Sequence, residues 1–306
     1  MIKTIPGGVY PTMLTPYTAD NKIDYNAVKQ LLSFYHERGC AGIFAICQSS
    51  EIFFISFEER LELLKFIMAN KPDGMTVLAS GNTADDLDTQ IKEAKAFIDT
   101  GIDAYVFISN RLANENEDDD VLLKNLEYAV SMLPEISMGI YECPYPYKRL
   151  LTPYVLEKIA KGGKFQFIKD TCCDLKQIKA RLDAVKGTEL KIFNANSATL
   201  LPSLEMGCAG FSGVMANFHP ELYTELCTIY NKDTEKAKLL QDFVGFFSVA
   251  ECQYYPVNAK YYLGLEGLDI RIDSRAKDAS LFTDNKKAEI DQMHSLTKLF
   301  KEKILK

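Results

Sequence analysis

Hydrophobic positions along the chain follow two alternating rhythms. Short β-rich runs occur at 8–17 (GVYPTMLTPY), 42–49 (GIFAICQS), 75–80 (MTVLAS), 104–109 (AYVFIS), 137–143 (SMGIYEC), 165–170 (FQFIKD), 191–196 (KIFNAN) and 208–214 (CAGFSGV). Between them lie stretches such as 24–39, 56–70 and 85–101, in which apolar residues recur every three or four positions. Asp24, Ser56 and Thr152 stand where helix N-caps are needed, and Gly39, Gly101 and Gly207 stand just past helix ends. A strand–helix unit repeated in this way predicts an α/β protein, a (β/α)8 barrel, whose usual length is about 250 residues. The barrel is expected to occupy 1–230. Residues 231–306, with two or three further helical patterns, are expected to form a C-terminal helical extension packed on it. A doubly wound open sheet is the alternative, but it usually carries a glycine-rich phosphate turn after the first strand, and TMLTPYTADNK is not one.

Composition narrows the function classes. The chain has 306 residues, 47% hydrophobic and 25% charged, so it can bury a normal core and is not a disordered chain. Its formal net charge of −7 leaves no basic surplus for a phosphate backbone, which argues against nucleic acid as a partner. The longest apolar runs are strand-sized, well short of the roughly 20 residues that span a bilayer. MIKTIPGGVYPT lacks the apolar core of a signal peptide. Eight cysteines without C-x-x-C spacing read as reduced thiols, and a cytoplasmic location is expected. The adjacent pair Cys172 and Cys173 reads as buried and inert, because neighbouring residues rarely have the geometry for an unstrained disulfide. Cys47 is the thiol to test for reactivity. Three histidines, His36, His219 and His294, lie in different elements, against a zinc site or a Ser-His-Asp triad.

A barrel of this type carries its chemistry at the C-terminal ends of the strands. That rule points to Thr12 and Thr15; Gln48, Ser49, Ser50 and Glu51; Asn82; Tyr141 and Glu142; Lys169; Asn194 and Asn196; and Ser212. In FQFIKD, alternation puts Phe165, Phe167 and Lys169 on one face. If the two phenylalanines fill the barrel, Lys169 points inward at the rim. Desolvation then lowers its pKa and frees an amine to attack a carbonyl. The other reading is a lysine that ends an ordinary strand and points to solvent. Tyr141 holds the matching position on the preceding strand, above a small Gly139, either as a proton relay or as a packed aromatic. By the same alternation Glu142 faces the helices. The Ser49-Ser50-Glu51 turn is either a plain loop or a cradle of N–H groups and hydroxyls for a carboxylate.

Taken together, several segments resemble the dihydrodipicolinate synthase / N-acetylneuraminate lyase family. GVYPTMLTPY is similar to its G-x-x-x-P-x-x-T-P-[FY] opening, and CQSSE at 47–51 occupies the place of its G-[ST]-[ST]-G-E turn. GIYECP at 139–144 resembles its [LI]-Y-N-x-P strand, FIKDTCCDL at 167–175 its [IV]-K-[DE]-[ST]-x-x-D segment, and GCAGFSGVMANFHPEL at 207–222 its G-rich segment late in the barrel. The resemblance implies a class I, imine-forming lyase or aldolase acting on pyruvate or a related 2-keto acid, with no metal or organic cofactor. It makes Lys169 the imine-forming lysine and Tyr141 the proton relay. Gln48, Ser49 and Ser50 become the carboxylate turn, and Ser212 lines the pocket. It also implies a homotetramer built as a dimer of dimers. The departures from the pattern are specific. Gln48 and Ser50 replace a hydroxyl residue and a glycine. Asn110-Arg111-Leu112 replaces the synthases' P-Y-Y, and Pro146 stands where they carry an arginine for a second carboxylate. Cleavage of a hydroxylated 2-keto acid is therefore expected in place of condensation with aspartate semialdehyde. Synthase activity proper, a dehydratase using the same imine, and a keto-acid sensor without catalysis are the alternatives.

Overall fold

The computed structural model describes residues 2–305. Eight parallel strands run β1 Gly8–Val9, β2 Gly42–Ile46, β3 Thr76–Ala79, β4 Ala104–Ile108, β5 Ser137–Tyr141, β6 Phe165–Asp170, β7 Lys191–Asn194 and β8 Gly210–Phe211. They pair in sequence order from β2 to β8, and β8 pairs with β1. The ring closes where Phe44 N donates to Pro11 O (2.9 Å) and Met13 N to Phe44 O (3.0 Å). The open doubly wound sheet is thereby excluded, and the fold is a (β/α)8 barrel.

Two strands are much shorter than their apolar runs. Beyond Val9 the first run continues through Pro11 and Pro16, which have no N–H to give a ladder, so only Gly8–Val9 pairs regularly. The eighth run pairs only at Gly210–Phe211 and then turns. Gly210 is obligatory there: its φ is +156°, and a Cβ would lie 1.9 Å from Gly8 O.

Helices alternate with the strands: α1 Tyr25–Glu37, α2 Phe57–Asn70, α3 Leu87–Ile98, α4 Asp119–Met132, α5 Pro153–Ala160, α6 Leu175–Ala184, α7 Leu200–Met206 and α8 Pro220–Ile229. Their ends obey local chemistry. Asp24 accepts from Asn26 N and Ala27 N, Ser56 forms a capping box with Glu59, and Thr152 accepts from Val155 N. Gly39, Gly101 and Gly207 all have positive φ after helix ends.

The barrel interior is aromatic. Phe167 stacks on Phe193 (4.7 Å between centres) and meets Tyr10 and Phe44 edge-on. Gly139 serves this packing: a Cβ there would lie 2.9 Å from Phe167 O and 3.1 Å from Phe167 Cβ, so the space is taken by Phe167. The ring of Tyr141 rests above this floor, edge-on to Phe44 at 5.5 Å.

After α8 the chain forms α9 Thr234–Phe247, α10 Glu251–Tyr254, α11 Val257–Leu265 and α12 Asp284–Ile304. α10 and α11 start beside the C-terminal face of the barrel. The irregular segment between α11 and α12 crosses to β2: Arg275 grips Glu59 through two 2.8 Å bonds, and its backbone N donates to Glu51 at 2.6 Å. Among the described residues no helix is long and apolar enough to cross a membrane.

Candidate active site

The C-terminal ends of the strands surround a cavity of about 630 Å³, within the range of small-molecule pockets. Lys169 reaches it from β6. Strand register pairs Lys169 with Tyr141 of β5, so two neighbouring strands deliver the two side chains together. Lys169 is 4% exposed, and its Nζ stands 4.2 Å from the centre of the Tyr141 ring. No carboxylate forms an ion pair with it among the described residues. Burial pushes its pKa below the usual lysine value; Cys47, Cys143 and Glu251 work in the opposite direction. Of the two readings of FQFIKD, the inward one is the structure. The Tyr141 hydroxyl lies 3.5 Å from Gln48 Oε1, and Cys143 Sγ lies 3.4 Å from the same oxygen. Burial raises the phenol well above its ordinary pKa, so it is a neutral donor. The surroundings therefore lower the barrier to a neutral amine and keep a protonated phenol beside it.

The turn after β2 is a short 3-10 helix, Gln48–Ser50. Gln48 and Ser49 face the cavity. The Ser49 hydroxyl donates to Thr12 Oγ1 at 3.0 Å. Ser50 is placed differently from its expected role as a carboxylate contact. Its hydroxyl lies 2.7 Å from Met13 O and 2.8 Å from Ala45 O and accepts from Cys47 N, so it clasps the β2 backbone to the segment that follows β1. Ser212 is also turned away from the pocket: its hydroxyl donates to Tyr10 O at 3.0 Å, and Gly213 and Val214 form the wall beside it. Of the other strand-end residues, Glu51 and Asn196 line the cavity. Asn82 clamps the backbone of Ile108, and Asn194 holds Thr199 and Ser203. Glu142 faces the helices, as alternation requires. It pairs with Arg181 (2.8 Å), accepts from Leu151 N and Thr171 N, and shares Arg181 with Asp170. This buried network ties the ends of β5 and β6 behind Tyr141 and Lys169.

The cysteines depart from expectation. Cys47 is fully buried and burial pushes its thiol up, away from reactivity. Cys173 is exposed at the cavity wall, in a left-handed turn with φ 57°, and is not a buried residue.

Other cavity groups come from places where the sequence has no strand end. Tyr255, between α10 and α11, accepts from Asn217 Nδ2 at 3.1 Å, and Asn217 in turn accepts from the Tyr35 hydroxyl at 2.6 Å. Burial raises the pKa of the Tyr255 phenol, and Ser49 and Thr12 work in the opposite direction. Glu251 and Cys252 also line the cavity. No periodic signal marks these residues, since they follow a helix and precede a proline in the run SVAECQYYP. Lys148 lines the rim and donates to Thr171 O at 2.7 Å, whereas Arg149 is held outside by the carbonyls of Asn114, Glu117 and Asp118, each at 2.9 Å. Asn110 and Tyr147 hydrogen-bond to one another's backbone, and Asn110 also caps Cys143 O, so the segment replacing P-Y-Y folds into its own chain.

The chain is thus a (β/α)8 barrel with a buried lysine at the end of its sixth strand, beside a tyrosine from the fifth, on the wall of a cavity at the barrel mouth. The dihydrodipicolinate synthetase family model matches residues 5–292, and the chain belongs to that family. It is 22% identical over 260 residues to a 4-hydroxy-tetrahydrodipicolinate synthase of Clostridium novyi (strain NT), covering 84% of this chain and 86% of that one. The fold superposes on a Ruminococcus gnavus sialic acid aldolase catalytic lysine mutant with a TM-score of 0.88 at 19% identity, over 99% of this chain and 100% of the other. It also superposes on YagE, an E. coli K12 prophage protein of the dihydrodipicolinic acid synthase family in complex with pyruvate, with a TM-score of 0.86 at 19% identity, over 96% and 99% of the two chains. At these identities the structures speak for the fold. The family supports an enzyme of the aldolase and lyase kind.

Proposed function

We propose that this protein is a class I lyase or aldolase that forms an imine between Lys169 and pyruvate or another 2-keto acid. The observation that carries the reading is a buried lysine with no carboxylate ion-paired to it among the described residues, beside a neutral phenol, on the wall of a barrel-mouth cavity. The Lys169 amine attacks the keto carbon, and loss of water from the carbinolamine gives the imine. In the cleavage direction the bond between C3 and C4 breaks, and its electron pair moves into the protonated imine to give an enamine. The C4 hydroxyl gives up its proton as the aldehyde leaves, C3 takes up a proton in its place, and water releases pyruvate and restores the amine. Tyr141 is assigned the proton transfers, with Gln48 holding its hydroxyl. Ser49 and the turn after β2 are assigned the keto-acid carboxylate. Ser50 and Ser212 support that wall from behind. No metal or organic cofactor is needed, because the imine itself accepts the electron pair.

Cleavage of a hydroxylated 2-keto acid is favoured over condensation with aspartate semialdehyde. The cation expected five residues after Tyr141 is Pro146, and Arg149 is committed to the 114–118 carbonyls. A lost charge-assisted contact of this type is worth about 1.5–3 kcal/mol. Residues 1–230 are read as the barrel and 231–306 as its helical extension, assembled as a homotetramer; sedimentation showing only monomer at micromolar concentration would contradict the assembly. The imine itself is tested by treating the protein with pyruvate and borohydride. One reduced pyruvyl adduct per chain is expected, on the peptide containing Lys169. An unmodified Lys169 after full treatment removes the mechanism, whatever the substrate.

A further inference from the structure

The charged side chains on the cavity wall are Glu51, Lys148, Lys169, Glu251 and Lys277. Glu51 is fully engaged, whereas Lys148 and Lys277 each meet only a neutral group. Glu51 accepts from Lys260 Nζ (2.9 Å), Ser274 Oγ (2.9 Å), Arg275 N (2.6 Å) and Ala276 N (2.9 Å). Lys148 donates to Thr171 O, and Lys277 lies over the Tyr254 ring, 5.5 Å from its centre. Lys169 is the proposed nucleophile. Glu251 is left: its carboxylate makes no hydrogen bond or ion pair among the described residues, although it is partly buried in the wall. Glu251 and Lys169 line the same cavity; burial raises the Glu251 pKa and the charge of Lys169 opposes the rise. A carboxylate withdrawn from bulk water without a partner costs free energy unless a ligand supplies donors. The remaining polar groups of the wall, such as Gln48 and Asn196, are neutral.

Once the keto carbon is at Lys169 and its carboxylate faces the turn after β2, the remaining carbons of a substrate are left to the other walls of the cavity, and Glu251 is the carboxylate on those walls that has no partner among the described residues. We infer that Glu251 is a specificity-determining residue for this distal half: it selects a tail bearing hydrogen-bond donors, hydroxyl or ammonium, and rejects a tail that ends in a carboxylate. The inference rests on the proposed placement of the keto acid at Lys169 and adds the chemistry of the part of the substrate that leaves.

The test is calorimetric binding of two 2-keto acids that differ in the tail, 2-keto-3-deoxygluconate and 2-oxoadipate, to the wild-type protein, Glu251→Gln and Glu251→Asp. The wild type is expected to favour the hydroxylated ligand by tenfold or more. Glu251→Gln should shrink that ratio at least tenfold, mainly by tightening 2-oxoadipate, and Glu251→Asp, which keeps the charge, should retain the rejection. A ratio that Glu251→Gln leaves within threefold of the wild type, or a wild type that favours 2-oxoadipate, overturns the inference. Borohydride trapping with pyruvate on the same samples separates the two ideas. A shifted ratio without an adduct keeps Glu251 and removes the imine. An adduct with an unshifted ratio keeps the imine and removes Glu251.

Discussion

Lys169 and Lys260 are both withdrawn from solvent, and each lies over a tyrosine ring, Lys169 over Tyr141 at 4.2 Å and Lys260 over Tyr17 at 4.6 Å. Burial lowers the pKa of both. They differ in what occupies the ammonium. Lys260 of α11 is tied to Glu51 Oε1 at 2.9 Å and to Asp273 O at 2.6 Å, so its charge is consumed in holding the C-terminal segment over the β2 turn. Lys169 has a ring, two thiols and an open cavity. The same residue type at the same depth becomes a fastener where a carboxylate meets it and a candidate nucleophile where none does. The tyrosines divide in the same way. The Tyr17 hydroxyl has no hydrogen-bond partner among the described residues, whereas that of Tyr141 faces Gln48 at the cavity.

The comparison breaks most severely if Lys169 is dispensable. Lys169→Met is expected to abolish the borohydride-trapped pyruvate adduct and turnover together, while mass analysis of Lys260→Met still finds the adduct at Lys169. Next in size is the phenol. Tyr141→Phe should lower kcat by roughly 10²–10⁴-fold, measured with any confirmed substrate, and Tyr17→Phe should leave kcat unaltered because it deletes only an unpartnered hydroxyl. Unchanged turnover in Tyr141→Phe would return that residue to a packing role.

Stability should separate the lysines in opposite directions. Lys260→Met leaves Glu51 buried without its cation and is expected to cost about 3–5 kcal/mol, read from the urea midpoint. Lys169→Met removes a buried ammonium that nothing pairs and should stabilise the fold by about 0.5–2 kcal/mol. This last gain has a pH signature. Because the folded-state pKa of Lys169 lies below its unfolded value, the unfolded chain binds more protons between the two, and native stability rises with pH across that window. The advantage of Lys169→Met should therefore fade as the pH approaches the ordinary lysine pKa of about 10.4. A melting-temperature difference that stays constant up to that pH would show that Lys169 is not held at a depressed pKa.

Much of this arrangement is legible in the amino-acid sequence. Alternating rhythms gave the eight strand–helix units, and the period-two face of FQFIKD put Lys169 inside, because strand alternation is a local property of the backbone. Caps at Asp24, Ser56 and Thr152 were readable for the same reason: each satisfies N–H groups within three residues of itself. Strand length was less legible. Prolines at 11 and 16 shorten β1, and a run of apolar residues does not reveal which of its N–H groups find a partner.

The outcome for the site residues follows the range of the contacts that decide them. The sequence by itself determined which strand carries the lysine, which carries the tyrosine, and that Glu142 turns to the helices, since all three follow from alternation along one strand. Only the tertiary structure decided that Ser50 and Ser212 spend their hydroxyls on the carbonyls of Met13, Ala45 and Tyr10, that Arg149 is bound to the 114–118 loop, and that Glu251 and Tyr255 arrive at the cavity from beyond the last strand. A hydroxyl or a carboxylate carries no mark of its partner in the chain. Whether it faces a substrate or a neighbouring carbonyl is settled when residues some hundred or more positions apart, such as Tyr10 and Ser212 or Glu51 and Lys260, are packed into one barrel mouth.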